Sequence, residues 1–261
     1  MNSERWGTFP ARIFNARTEA KALPLPGAGE GPQTIDDGYA FQKALIEAWG
    51  EPISGWKIGA TAAPVQARFG TDRPFSGPFY KTNTFRSPAR LFRQKLQHTK
   101  IESEFAFRFM RRLEPRSKTY QREEVIDAID ALIPAIEVVS PRFLEVPFGN
   151  APLAIADWGV NGAVVLGAPV VDGWDPDTVR DHRVRLVVDG TEVAAGEGRI
   201  VLGDPLAALT WLVEHLSGRG IALSPGDVVL TGTTTGIFDM TGREHAVADF
   251  GDLGSVEATF V

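Results

Sequence analysis

Apolar and polar residues alternate most regularly from Lys100 to Phe109, which predicts a β-strand. Because side chains two apart on a strand point the same way, Glu102 and Glu104 project from one face and large apolar residues from the other. Two neighbouring carboxylates repel each other unless a positive group lies between them. The pair therefore indicates either a solvated strand face or a cation site.

A second informative run is 134–139, whose apolar residues are typical of a strand buried on both faces. Glu137 interrupts it, and a buried carboxylate needs a cationic partner or a metal. The two alternatives are that Glu137 forms a salt bridge with Arg142 or that it is a metal ligand.

Lys57 lies in an apolar strand pattern flanked by Gly55 and Gly59. It either extends to solvent or lines a ligand pocket that the backbone approaches at the glycines.

The remaining periodicity predicts mostly short elements. We expect helices within 5–22 and at 34–49, 122–133 and 205–218, and strands at 55–61, 163–166, 184–188, 191–195, 227–231 and 255–260, with a loop at 141–158. Many short strands with three or four helices indicate an α+β fold with a β-rich core. His215, near the end of a predicted helix, is expected on the surface.

Composition narrows the class of protein. Hydrophobic residues make up 43% and charged residues 23% of the chain, as in soluble globular proteins. The net charge of −6, without a basic cluster, argues against nucleic acid as a partner. No apolar run approaches the ~20 residues of a membrane span, and the first residues carry no signal-peptide core. With no cysteine, the chain suits a reducing compartment, so we expect a cytoplasmic protein.

Glu102, Glu104 and Glu137 together form a candidate metal site. Carboxylate oxygens suit hard cations such as Mg²⁺ or Mn²⁺. Three such ligands leave coordination positions open for a small 2-oxo or enol acid, which the cation would polarise as a Lewis acid. Lys57 could add an acid/base group or a fixed positive charge.

Five motifs in order extend this interpretation: G-W-K-I-G-A-T (55–61), K-I-E-S-E-F-A-F (100–107), P-A-I-E-V-V (134–139), I-A-D-W-G-V-N-G-A-V-V-L-G (155–167) and G-D-V-V-L-T-G-T (226–233). In this order the chain resembles the fumarylacetoacetate hydrolase superfamily, and within it the 2-keto-4-pentenoate hydratase and 2-oxo-acid decarboxylase branch. The resemblance covers about 34–261. It implies the mixed-β fold of that superfamily's C-terminal domain with a few packed helices.

The resemblance also implies roles for individual residues. The metal ligands would be Glu102, Glu104 and Glu137, and Lys57 would lie at the substrate as a catalytic and binding residue. The segment that begins at Asp157 and ends at Asn161 takes the place of the branch's D-N-A-S-type segment, so both residues are assigned catalytic roles. The proposed substrate-binding residues, besides Lys57, are Tyr80, Thr231, Gly232 and Thr233.

The activity implied by the resemblance is a metal-dependent hydratase, which adds water to a 2-hydroxy-2,4-dienoate to give a 4-hydroxy-2-oxo acid in aromatic-compound degradation. The alternatives are decarboxylation of a vinylogous 2-oxo acid and a non-catalytic partner subunit. The branch commonly has acidic residues in the loop that here reads 77–81, and often an aspartate where this chain has Ser140. These departures leave the general acid/base open and suggest that Tyr80, Lys81 or Arg73 lies near the distal end of the substrate.

Two expectations concern organisation. Residues 1–60 are expected to form an N-terminal helical segment packed on the core, and 61–261 the catalytic mixed-β domain, unless the two form one continuous domain. We also expect a homo-oligomer.

Overall fold

A computed structural model describes residues 6–27 and 29–261. In this part of the chain the helices are Phe9–Thr18 (α1), Ile35–Trp49 (α2), Ala63–Phe69 (α3), Arg122–Ile126 (α4), Ala151–Ala156 (α5) and Pro205–Gly218 (α6). The strands are Ile53–Gly59 (β1), Phe75–Tyr80 (β2), Thr84–Arg86 (β3), Ala89–Leu91 (β4), Lys100–Phe109 (β5), Ile129–Val139 (β6), Asn161–Leu166 (β7), Arg183–Val188 (β8), Thr191–Glu197 (β9), Val228–Thr233 (β10), Phe238–Asp239 (β11), His245–Asp249 (β12) and Ser255–Phe260 (β13). The predicted α+β class is confirmed.

Two mixed sheets organise the molecule. The larger has the order β2-β1-β10-β5-β6-β7-β3, with β11 added at one end of β5, and the smaller has the order β4-β13-β12-β8-β9. Apolar side chains from both sheets and from α6 belong to one buried cluster, which includes Phe105, Leu186, Val256 and Leu209. The longest strands, β5 and β6, pair antiparallel at the middle of the larger sheet.

The alternation seen in 100–109 determines how β5 sits between two environments. Its apolar face contributes Ile101, Phe105, Phe107 and Phe109 to the main core. Burying each such side chain stabilises the fold by roughly 1.5–3 kcal/mol. The opposite face, which carries the glutamates, is therefore held away from the main core, on the other side of the larger sheet.

Helix α2 begins and ends where the sequence predicts. Thr34 accepts a hydrogen bond from the Asp37 amide, and the Asp37 carboxylate accepts one from the Thr34 amide, a capping box. Gly50 ends the helix with a φ of 74°, a conformation that favours glycine. The buried face of α2 packs with α1 in an aromatic-rich cluster that includes Phe9, Phe41 and Trp158.

The predicted helix 122–133 is wrong in its second half, because α4 ends at Ile126 and β6 begins at Ile129. Val125, Ile129 and Leu132 fit a helical spacing, but the last two lie in a strand that pairs along its length with β5. Two short helices were missed, α3 and α5, the second inside the predicted loop 141–158. Each carries a proline in its first turn and is too short to show a helical period.

Arg5, where the first predicted helix starts, lies outside the described residues, and so does Ala28. The division into 1–60 and 61–261 stays a prediction, and β1 connects the N-terminal helices directly to the larger sheet. None of the helices in the described part of the chain is long and apolar enough to cross a bilayer.

Candidate metal centre

The register of three strands brings the predicted metal ligands together. Glu102 on β5 lies opposite Glu137 on β6, and Glu104 lies opposite Thr233 on β10. One carboxylate oxygen from each glutamate lies within 4.8 Å of the other two. Glu104 and Glu137 are fully buried and Glu102 is 7% exposed, so the solvated strand face is excluded.

Lys57 completes this cluster from β1. It is only 2% exposed, so the lysine does not extend to solvent. Its Nζ lies 3.1 Å from Glu137 Oε2 and donates a hydrogen bond of 3.1 Å to the Gly159 carbonyl. Burial acts to lower the pKa of Lys57, but the three carboxylates raise it by more, so the pKa lies above its ordinary value.

The electrostatics of the cluster call for a further cation. Burial, and then the charge of Glu137, raise the pKa of Glu102 to about 8. The same two causes hold the pKa of Glu104 well above its ordinary value. If all three carboxylates ionised, one ammonium would leave two negative charges uncompensated, and this is why the pKa values rise. In addition, Glu104 Oε1 is buried without a hydrogen-bond partner among the described residues. A divalent cation would supply both the charge and the missing partner, so these residues fit a divalent metal.

Asparagine side chains hold Glu137 in place. Asn161 Nδ2 donates to Glu137 Oε1 at 3.0 Å, and Asn161 Oδ1 accepts from Asn83 Nδ2 at 2.9 Å. Asn83 is in turn oriented by the Tyr80 amide, which donates to its Oδ1 at 2.8 Å. This chain of amides fixes which Asn161 atom faces the carboxylate, as is typical of groups that orient metal ligands.

The β10 segment supports Glu104. The Gly232 amide donates to Glu104 Oε2 at 2.6 Å, with a φ of 110° that favours glycine. A Cβ at this position would lie 2.3 Å from Thr61 Oγ1, so only glycine fits. The protons of the neighbouring hydroxyls already have acceptors, since Thr231 donates to the Phe105 carbonyl at 2.9 Å and Thr233 to the Gly236 carbonyl at 3.0 Å.

Two other predicted site residues lie elsewhere. The buried Asp157 carboxylate accepts from Arg17 Nη2 at 2.6 Å and from the Arg142 amide at 2.7 Å. The Tyr80 ring packs 4.7 Å from the Trp158 ring. Among the described residues, neither side chain has a hydrogen bond or ion pair with the glutamates, and the catalytic role of Asp157 and the substrate-binding role of Tyr80 stay predictions.

Arg142 is not the partner of Glu137. Its Nη2 donates to the Ser140 carbonyl at 2.8 Å and hydroxyl at 2.6 Å, so the predicted Glu–Arg alternative is wrong. Ser140 Oγ also accepts from the Gln97 amide at 2.6 Å, which anchors the chain beyond β6. In 77–81, the other segment that departs from the branch, Gly77 is closely packed, because a Cβ there would lie 2.0 Å from the Trp158 carbonyl oxygen.

Beside the cluster lies a cavity of about 20 Å³, which is room for about one water molecule. Its polar lining consists of Lys57, Lys100 and Glu102. The rest of the wall, apart from Gly59, is apolar: Ala60, Val65, Phe69, Phe75, Val139, Val146, Phe148, Val160 and Ile237. Sequence reasoning missed the contributions of α3 and of 146–148, because neither segment carries a periodic or chemical signal.

His215 is not the surface residue that the sequence suggested. Its ring stacks on Trp211 with centroids 4.9 Å apart, and Nε2 is buried without a partner among the described residues. Burial, aided by the charge of Arg219, lowers the pKa of His215 to about 4.

The model of the fumarylacetoacetate hydrolase C-terminal family matches residues 59–261. A 2-keto-4-pentenoate hydratase of Burkholderia vietnamiensis (strain G4 / LMG 22486) is 32% identical over 97% of this chain and 96% of its own length. A 4-oxalocrotonate decarboxylase of Pseudomonas putida is 27% identical over 100% of this chain and 98% of its own. The solved 4-oxalocrotonate decarboxylase of Pseudomonas putida G7, complexed with magnesium and adipate, superposes with a TM-score of 0.83 at 25% identity, covering 97% of this chain and 95% of that one.

Proposed function

The chain belongs to the fumarylacetoacetate hydrolase C-terminal family, and we propose that it is a divalent-metal-dependent hydratase that converts a 2-hydroxy-2,4-dienoate to a 4-hydroxy-2-oxo acid. The observation that carries the proposal is the buried convergence of Glu102, Glu104 and Glu137 beside Lys57. The predicted family is confirmed, and hydratases about 30% identical to this chain support the predicted hydro-lyase class.

Mg²⁺ or Mn²⁺ is the proposed cation, held by the three glutamates, because their donors are all hard oxygen atoms. When bound, such an ion acts as a Lewis acid towards the vicinal oxygens of a 2-oxo or enol acid. The chain itself keeps bulk water away, since Glu102 is the only ligand with measurable exposure. Gly232 and Asn161 hold the carboxylates in place through their hydrogen bonds to Glu104 and Glu137.

Lys57 is our proposed proton carrier. Its raised pKa comes from the three carboxylates, which outweigh burial, and an added divalent charge opposes their effect. Loading the site therefore favours proton release from Lys57 and brings its ammonium closer to a working acid/base group. For 2-hydroxypenta-2,4-dienoate, the first stage is ketonisation, in which the enol oxygen loses its proton and C5 gains one. In the second stage a water molecule adds across C3 and C4: its oxygen bonds to C4 as a hydroxyl, and C3 gains a proton. Lys57 is placed to pass protons in these steps.

The test is product identification. Full-length protein with Mg²⁺ would be given 2-hydroxypenta-2,4-dienoate, and the product identified by NMR as 4-hydroxy-2-oxopentanoate. Glu104→Gln keeps the shape of the side chain but removes a ligand charge, and we expect turnover to fall by at least ~100-fold. Wild-type turnover in Glu104→Gln, or in protein stripped with EDTA, would overturn the site assignment.

Decarboxylation is a second candidate, favoured by the superposition over 97% of this chain on the solved 4-oxalocrotonate decarboxylase. Release of CO₂ from 4-oxalocrotonate, with no water addition to hydroxypentadienoate, would support it. A non-catalytic subunit remains the third candidate and would bind a partner chain without turning over either acid. We further propose a cytoplasmic homo-oligomer; light scattering on the purified chain would test the assembly.

A further inference from the structure

We propose that Val65, Val146 and Phe148 select substrates whose end remote from the 2-oxo acid is uncharged and apolar, and reject a terminal carboxylate. This inference rests on the proposed function, because it takes the glutamates as the place where the 2-oxo acid is held. It adds a specificity that the metal cluster by itself does not define.

The wall of the cavity carries the inference. Glu102 and Lys57 mark its metal end. Apart from Lys100, every side chain that lines the rest of the cavity is apolar. A substrate anchored at the glutamates must therefore extend its remaining carbon atoms along aromatic and aliphatic groups.

Lys100 does not offer a free charge to a distal carboxylate. Its ammonium forms an ion pair with Asp239, which lies on β11 directly opposite Lys100. Arg73, a residue that the sequence suggested for the distal end, pairs with Asp72 on the surface and does not line the cavity. Arg68 stacks on the Phe148 ring with its guanidinium carbon 3.9 Å from the centroid, but it is exposed and does not line the cavity. Inside the cavity a second carboxylate would thus lose its water without gaining an unpaired cation, which is strongly unfavourable.

The size of the cavity indicates which residues meet the substrate tail. With a volume of about 20 Å³, the cavity must widen to take a substrate. The half-buried apolar side chains of the wall are Val65, Val146, Phe148 and Ile237, whereas Phe69, Phe75, Val139 and Val160 are buried and packed together. Of the half-buried side chains, Val65 on α3 and Val146 and Phe148 on the loop before α5 pack against the same apolar cluster. These three therefore form the part of the wall that moves and then contacts the tail.

The test uses two 2-oxo acids with six carbons and no carbon–carbon double bond, so the proposed enzyme has no bond across which to add water. Calorimetry on full-length, Mg²⁺-loaded protein would compare 2-oxohexanoate with 2-oxoadipate, which differ in the terminal methyl or carboxylate. We expect 2-oxohexanoate to bind at least ~10-fold more tightly, since an unpaired buried charge is rejected more strongly than a missing methyl group. In Val65→Lys the added ammonium should remove or reverse this preference.

Ala67→Lys is the matched control, because residue 67 lies on the same helix, is exposed and does not line the cavity. It adds the same charge and should leave the preference unchanged. Equal binding of the two acids, or tighter binding of 2-oxoadipate to the wild type, overturns the inference and leaves the proposed function standing. Failure of both acids to bind overturns the proposed function and the inference with it.

Discussion

Removing the Lys57 ammonium perturbs the balance of charge on which the site depends. Lys57→Met keeps most of the side-chain volume but leaves Glu137 without its cation at 3.1 Å. At an effective dielectric constant of ~20, that separation corresponds to an attraction of about 5 kcal/mol. Loss of one partner of a buried ion pair typically costs about 3–5 kcal/mol. We therefore expect the metal-free variant to lose about 3–5 kcal/mol in free energy of unfolding.

Saturating Mg²⁺ should reduce this loss to less than half, because the cation takes over the compensation of Glu137. By linkage, the reduction equals the gain in metal-binding free energy of the variant, so Mg²⁺ should bind Lys57→Met more tightly than wild type. Turnover should nevertheless fall by at least ~100-fold, because the proton carrier is gone. Tighter metal binding together with lost activity separates a charge effect from general damage.

The assay is urea unfolding with and without Mg²⁺, together with calorimetric Mg²⁺ titration. Lys100→Met is the matched control: this lysine also lines the cavity, but it is half-buried and pairs with the exposed Asp239. We expect it to cost about 0–1 kcal/mol, with or without metal. An equal loss for Lys57→Met in both conditions would refute the view that lysine and metal share the compensation of Glu137.

Three further predictions concern the surroundings of the site. Asn83→Ala should weaken Mg²⁺ binding about 10–100-fold in calorimetry, because Asn161 loses the partner that orients it; unchanged affinity would show that Asn161 needs no such support. In urea unfolding, Gly232→Ala should lower the free energy of unfolding by more than about 2 kcal/mol, because a Cβ there would lie 2.3 Å from the buried Thr61 hydroxyl. Gly236→Ala is the control: its φ is also positive but its surroundings are open, so it should cost only roughly 1 kcal/mol. Since the fold holds the His215 pKa at about 4, below its unfolded value, protons favour the unfolded chain. Stability should therefore fall by about 2 kcal/mol as the pH drops from about 6.5 to 4, and His215→Gln should lose this part of the acid sensitivity in denaturant titrations at several pH values.

Strand β5 could be predicted to the residue because one face is apolar and the other polar, so its period is unambiguous. Helix α2 was equally clear, since its capping residues are local in sequence. The helix prediction for 122–133 was wrong because the apolar residues of this segment fit both a helical and a strand period. Pairing with β5 decided for the strand from Ile129 onwards. Short helices such as α3 carry too few residues for any period to emerge.

The site was predictable where neighbouring residues share a strand face, as Glu102 and Glu104 do. Their approach to Glu137 depends on the β5–β6 register, a long-range property that the ordered motifs, rather than the residue pattern, indicated. The pairing of Asp157 could not be predicted for the same reason, since its partner Arg17 lies 140 residues away along the chain. Asn83 acts through a hydrogen bond to a residue 78 positions away, and nothing in its neighbourhood marks it.

The most direct test of the central claim is a Mn²⁺ titration followed by electron paramagnetic resonance. Wild type would be compared with Glu102→Gln, Glu104→Gln and Glu137→Gln, each of which keeps the shape of the side chain and removes one ligand charge. We expect one tightly bound ion per chain in the wild type and affinity at least ~100-fold weaker in each variant. Wild-type affinity in any of the three variants, or no bound ion in the wild type, would contradict the assignment of these glutamates as the metal site.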